Sequence, residues 1–502
     1  MGALKAVTTG LVILDGSGIG VDDVVRLADG AARPVAGTEA MKRVEESWDA
    51  ARRIAATGRV YGRSTGVGAN RNEDVPTEAA AGHGLRLLRS HAGAIGEELP
   101  ARQVRAMLAV RANQLLAGGA GLRPTVVTAL CEALESGAHP VVNEFGSVGT
   151  GDIAALAQMG LALAGEHPWR MSEGGAEAAP EAQPLDNNDA LALISSNALT
   201  LGQSALALHE LRGLIAATQV VAALSLLAVD GSHEAYAAPV HLARPHRGSA
   251  EVARRMRELI GAADRPTPPL GRIQDPYGFR CIPQIHGPAH DAADALDQVL
   301  AVEINAAAEN PLISPEDMAA YHHGGFYQAQ LALALDHFRL AVTQVARLST
   351  SRLSTLNEPA YTRLRPFLAD PEPASSGVMI LEYAAGAALG DLRAFSAPAS
   401  LGHAVLSRGV EEQASFASLA ARQTLRACGA YRLVVGCELV AAVRALRQRD
   451  LRPDPDLPVG RALELAESVL AADQADRPLT DDVSAAAALL DRFTEIWRGS
   501  TS

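Results

Sequence analysis

Gln328-Ala-Gln-Leu-Ala-Leu-Ala-Leu-Asp-His-Phe-Arg-Leu-Ala-Val-Thr-Gln-Val-Ala-Arg-Leu348 decides the fold class. Leu331, Leu335, Phe338, Val342 and Val345 recur at steps of four, three, four and three, which lays one unbroken apolar seam along a helix. A seam of that kind wants a partner helix, so the stretch predicts a bundle of long helices packed side by side. Val104, Leu108 and Leu115 repeat the theme in a shorter helix. Leu296, Val299 and Leu300 begin another that runs towards Glu303 and Asn305. Strand signals are sparse, with short β-branched runs at Leu11–Leu14 and Val141–Val142 and no long alternation. The chain therefore reads as mainly α.

Outward from the seam, helical blocks are separated by Pro- or Gly-rich breaks at Gly174–Pro184, Arg265–Gly271, Pro366–Ser376 and Leu451–Pro458. No internal repeat occurs, which argues against a solenoid. These breaks suggest a loop-rich N-terminal region over 1–200, an elongated central long-helix bundle over 201–450 and a C-terminal helical tail over 451–502. A length of 502 residues exceeds what one compact core usually covers.

Lys plus Arg number 44 against 57 Asp plus Glu, a net charge of −13, and so acidic a chain repels phosphate backbones. Nucleic acid and anionic membranes are poor partners on that ground. Hydrophobic residues make up 48% and aromatics only 4%, so the cores must be mostly aliphatic. Four scattered cysteines give neither a disulfide framework nor a zinc motif, which fits a reducing cytoplasm. The N-terminus shows no basic region followed by an apolar stretch long enough for secretion. The greasiest run, Leu214–Val229, is shorter than the roughly 20 apolar residues of a membrane span and carries Thr218, Gln219 and Ser225, so it reads as a buried helix.

Four separated segments mix small and polar residues in ways a packed helix does not need: Val60-Tyr-Gly-Arg-Ser-Thr-Gly-Val-Gly-Ala69, Arg89-Ser-His-Ala-Gly93, Glu144-Phe-Gly-Ser-Val-Gly-Thr-Gly-Asp-Ile-Ala154 and Gln274-Asp-Pro-Tyr-Gly-Phe-Arg280. Alone, Tyr61 reads as a half-buried core tyrosine, His91 as a structural histidine, Arg280 as half of a local ion pair with Asp275, and Glu411 with Glu412 as a solvated face. The histidines at 286 and 290, and the pair at 322 and 323, raise a metal site, but Gly287-Pro288 disfavours the helix that four-residue ligand spacing needs. The Gly-x-Gly fragments lack the strand–turn–helix setting of a nucleotide site. No metal and no nucleotide are expected.

In this order, the four segments resemble the histidine and phenylalanine ammonia-lyase family. The resemblance extends to Asn305–Leu312 (NAAAENPL), His323–Asp336 (HGGFYQAQLALALD) and Ser376–Ile380 (SGVMI), and spans about residues 10 to 420. It implies a mainly α, fumarase/aspartase-like architecture, assembled as a homotetramer whose active sites draw on several chains. It also implies elimination of ammonia from an amino acid, or its transfer between carbons, through an electrophile made from the backbone. An Ala-Ser-Gly triplet cyclises and dehydrates to a methylidene-imidazolone (MIO), an electron sink that compensates for a barely acidic β-proton. No added cofactor is required.

The sequence departs from that pattern at the triplet. Where the family has G-S-V-G-A-S-G-D, this chain has Gly146-Ser-Val-Gly-Thr-Gly-Asp152, one residue shorter, so the triplet becomes Gly149, Thr150 and Gly151. Ser147 is followed by Val148 and cannot substitute. The family's supporting asparagine becomes Ser195, with Asn197 displaced by two positions, and a polar glutamine becomes Val410.

By resemblance, Tyr61 is the candidate general base, a role that requires its surroundings to lower a pKa near 10. Arg280 is the carboxylate anchor, with Tyr277 beside it, and Glu411 is a supporting carboxylate assisting proton traffic. His91 reads the side chain, Phe326 supplies an aromatic wall, and Ser195 and Asn310 complete the substrate-binding set. The resulting expectation is an ammonia-lyase or aminomutase acting on a histidine-like or other aromatic amino acid. The alternatives are a descendant that never forms the electrophile and performs hydrolysis, isomerisation or cyclisation, and a catalytically inactive binding protein.

Overall fold

A computed structural model describes residues 10–172, 178–267 and 271–499. Residues 174–177 and 268–270 of two expected breaks lie outside them. The helical reading is met: the seam residues lie on one helix, Ala329–Leu356, and Leu331, Leu335, Phe338, Val342 and Val345 are all fully buried. Leu333 and Leu340, off the seam, are 61% and 47% exposed. Among the described residues, strands are short and form four two-stranded sheets, of which Gly10–Leu14 with Ala32–Ala36 is parallel. Val141 and Val142 lie between two of these strands rather than within one.

The chain divides into two compact units. The first comprises residues 1–209, 296–335 and 398–422. Its centre is the helix Ala101–Leu116, buried from Val104 to Leu116 without a break. The spacing of Val104, Leu108 and Leu115 marked one face, but the helix is enclosed all round, and its polar groups are met accordingly. Arg105 donates to the carbonyls of Leu27, Ala28 and Leu134, closing the C-terminal ends of two neighbouring helices, Val21–Ala28 and Pro124–Ser136. Asn113 and Gln114 donate to the carbonyls of Ile304 and Glu303.

The second unit comprises residues 210–295, 336–397 and 423–502. One of its buried carboxylates, Glu438, receives Arg352 Nε at 2.6 Å and Nη2 at 2.8 Å, with the hydroxyls of Ser225 and Ser349, so the charge is fully answered. One expectation is overturned here. The helix Ile282–Glu303 runs straight through Gly287-Pro288. A Cβ on Gly287 would stand 2.4 Å from the Ser249 nitrogen, so glycine permits close approach of the helix Arg247–Ile260. Packing of this kind outweighs one hydrogen bond lost at Pro288.

The apolar span Ala190–Ala228, most of it the helix Ala198–Ala228, is long and apolar enough to cross a membrane by length and composition. Its most apolar window is 83% buried inside the protein, as the sequence suggested for Leu214–Val229.

Candidate active site

Three turns of the first unit converge on one hollow. Val60–Thr65 makes the first. Gly62 has φ +71°, and a Cβ there would meet Leu191 at 2.1 Å, so only glycine lets the turn press against the short helix Ala190–Ile194. Arg63, buried beneath it, donates to the carbonyls of Ala120 at 2.7 Å and Gly121 at 3.1 Å. Burial draws its pKa down to about 10. The Tyr61 hydroxyl then accepts the Gly68 N–H at 2.8 Å.

The second turn is the shortened loop. Gly149 has φ +88°, and a Cβ on it would lie 2.2 Å from Ser415 Oγ and 2.8 Å from the nitrogens of Phe416 and Ala417. Ser415 Oγ donates to the Gly149 carbonyl at 2.7 Å, and the Gly151 N–H donates to Asn197 Oδ1 at 3.1 Å. Asn197 Nδ2 donates in turn to the Phe326 carbonyl at 2.8 Å. The displaced amide of Asn197 thus reaches the loop, while Ser195 accepts the Asn310 N–H at 2.9 Å. Asp152, buried behind the loop, accepts the Thr200 N–H and hydroxyl at 2.7 and 2.9 Å. Burial pushes its pKa up against those two bonds.

The third turn, Glu309–Phe326, is held from below by a buried ion pair. Arg111 Nη1 lies 2.7 Å from Glu309 Oε1, both side chains being essentially unexposed. The same guanidinium donates to the carbonyls of Ala192 and Leu193. One cation therefore fixes two walls of the hollow.

The hollow has a volume of about 310 Å³ and is lined by Tyr61, Thr150, Gly151, Ser195, Asn310, Phe326, Val410 and Glu411 from the expected set, together with Arg71 and His322. Size does not single it out, since hollows of about 600 and 690 Å³ exist in the same unit. In the first of these, Arg33 and Arg102 already pair with Glu135 and Asp29. The smaller hollow is the one that joins a phenol, a glycine-bounded hydroxyl residue and a carboxylate. Burial pushes the Tyr61 phenol above the usual tyrosine value, and the charge of Glu411 adds to that, whereas Gly68 and Arg71 oppose it. That direction is opposite to the one a base requires.

Other expected residues lie apart. His91 does not line the hollow; its Nδ1 is within 2.9 Å of the Leu87 carbonyl. Tyr277 and Arg280 belong to the second unit, where the guanidinium stacks over the Tyr277 ring at 4.8 Å and donates from Nε to the Asp275 carbonyl at 2.6 Å. Arg71 and His322 were missed. His322 stood only in a metal question, and its ring now meets that of Tyr61 edge-on at 6.3 Å. Arg71 follows the glycine-rich segment by two residues, the one sequence signal that could have found it.

Residues 19–469 match the family described as Aromatic amino acid lyase, so the chain belongs to that family. The histidine ammonia-lyase of Geobacillus thermodenitrificans is 33% identical over 96% of this chain and 97% of its own. Among solved structures, the tyrosine aminomutase of Streptomyces globisporus superposes with a TM-score of 0.89 at 25% identity, covering 97% of this chain and 98% of that one. The ergothioneine-degrading ergothionase of Treponema denticola gives 0.89 at 25% identity, covering 97% and 99%. The protein is thus a carbon–nitrogen lyase or aminomutase of mainly α fold.

Proposed function

We propose that the protein is an ammonia-lyase, or a related aminomutase, of an aromatic amino acid, with a histidine-like substrate favoured. The observation that carries this reading is the single hollow joining Tyr61, Thr150-Gly151 and Glu411. Tyr61 removes a β-proton in the fraction of enzyme whose phenol is ionised, a fraction that burial and Glu411 keep small and that rises with pH; the Cβ–H electron pair becomes the Cα=Cβ bond, and the amine leaves with the C–N pair. Glu411 faces the same hollow and receives the amine's positive charge. Phe326 and Ile153 give the apolar wall for a ring.

The loop suits an imidazolone derived from Gly149, Thr150 and Gly151. Ser415 polarises the carbonyl that the ring closure attacks, and Asn197 orients the nitrogen that attacks it. Once formed, such a group supplies an electron sink for the departing amine. Ser147 Oγ accepts the Gly149 N–H and donates to the Gly151 carbonyl, both at 3.1 Å, so the two ends of the triplet are held on one hydroxyl. Arg280 and Tyr277 are assigned to substrate carboxylate and proton traffic in a homotetramer, where one chain completes the site of another. A cytoplasmic location goes with this reading.

Incubation with histidine, phenylalanine and tyrosine should release ammonia or yield a β-amino acid, and the intact mass should fall short of the sequence mass by two waters. A full sequence mass with no deamination would refute it. A second reading, reaction without the electrophile, is favoured by the missing residue and by the lack of room for alanine at Gly149. It predicts the full sequence mass together with turnover of a substrate whose leaving group needs no activation.

A further inference from the structure

The hollow carries two opposite charges that do not answer each other. The Arg71 guanidinium makes one long contact, Nη1 to the Gly68 carbonyl at 3.4 Å, and pairs with no carboxylate among the described residues. Glu411, in the same lining, forms no ion pair among the described residues either. An exposed arginine on open surface needs no partner. Here, however, the guanidinium and an unpaired carboxylate border one space of about 310 Å³. That space fits a ligand carrying both signs, ammonium towards Glu411 and carboxylate towards Arg71. His322 lies beside them, edge-on to Tyr61 at 6.3 Å, with ring nitrogens that have no hydrogen-bond partner among the described residues.

We propose that Arg71, flanked by His322, is a carboxylate-binding residue of this site, contributed by the same unit as Tyr61 and Thr150. The inference rests on reading the hollow as an amino-acid site, and it adds a second guanidinium to the one at Arg280. The carboxylate it takes is either the α-carboxylate of the substrate or an acidic substituent on its side chain. Electrostatics agree: Arg71 acts on the Tyr61 phenol with the opposite sign to Glu411, so both charges are felt where the proton is taken.

The test uses the full chain and three probes that lack the combination of α-amine and α-carboxylate: 3-phenylpropionate, 4-(2-aminoethyl)benzoate and phenethylamine. Calorimetric affinities are compared for wild type, Arg71→Gln and Arg71→Lys. Loss of a charge-assisted pair should weaken one of the two carboxylates by about 10- to 100-fold. Phenethylamine should be unaffected, and Arg71→Lys should recover part of the loss. A loss on 3-phenylpropionate assigns the α-carboxylate; a loss on 4-(2-aminoethyl)benzoate assigns an acidic side chain. The proposal is overturned if Arg71→Gln binds both carboxylates as wild type does, if phenethylamine weakens equally, or if the wild type binds neither carboxylate. Because binding is read without turnover, failure of the lyase reading appears separately, as absence of ammonia from the wild type.

Discussion

Arg111→Met tests whether one buried cation shapes the site. The guanidinium holds Glu309 at 2.7 Å and the carbonyls of Ala192 and Leu193, all out of solvent. Burial lowers the pKa of Arg111, and Glu309 opposes the change. Removing it strands a carboxylate that is only 1% exposed, and breaking a buried pair in this way costs about 3–5 kcal/mol. With roughly 2.1 cal/mol/K of unfolding entropy per residue over 502 residues, a chain melting as one loses about 1 °C per kcal/mol. Calorimetry should therefore show Tm falling by about 3–5 °C. Because Ser195 and Asn310 follow the two anchored segments, kcat/KM should fall by more than about tenfold. In Arg111→Met with Glu309→Leu, no charge is stranded, and at least half the lost stability should return while activity stays low. A single variant that melts within 1 °C of wild type, or a double variant no better than the single, would refute the claim that the pair holds both walls.

Asn197→Ala removes the acceptor of the Gly151 N–H and the donor to the Phe326 carbonyl, and should cost about 2–5 kcal/mol; an unchanged melting curve with normal intact mass would contradict it. Glu411→Gln removes a charge that raises the Tyr61 pKa, so the rising limb of the kcat/KM–pH profile should move to lower pH, and a limb that stays or moves up speaks against Tyr61 as base. His286 is buried with neither ring nitrogen partnered among the described residues, and burial holds its pKa well below 6.5. Its contribution to stability is present above pH 6.5 and lost on acidification, so His286→Leu should reduce the fall in Tm between pH 7 and 5. Gly149→Ala, which restores the family's residue, should lower activity and stability, because its Cβ would enter the space of Ser415 Oγ; a variant as active as wild type counts against the loop geometry.

The fold was legible because a seam at steps of three and four is a property of the chain alone. Where the chain's own preference competes with packing, legibility fails. Gly287-Pro288 reads locally as a helix break, yet Gly287 serves the contact with Ser249 and the helix continues. Glycine-bounded segments in the sequence pointed to residues that the fold brings to one hollow, as at Tyr61 and Thr150. Arg71 and His322 are ordinary residues in sequence, and only the fold places them against one hollow.

The same contrast bears on the shortened loop. The shortened triplet, Ser195 and Val410 read as separate departures around one electrophile, but in space the first two are linked through Asn197. With one residue fewer, the backbone takes φ +88° at residue 149 and leaves no room for a side chain, so glycine there is a consequence of length. Ser195 turns to the Asn310 N–H, and Asn197, two residues on, supplies the amide oxygen that the Gly151 N–H meets. Ser415 holds the other end through the Gly149 carbonyl. Both atoms that ring closure would join are therefore held by side chains of this chain. The shortened loop thus has the two contacts that the proposed ring closure calls on, one from Ser415 and one from Asn197 in place of residue 195.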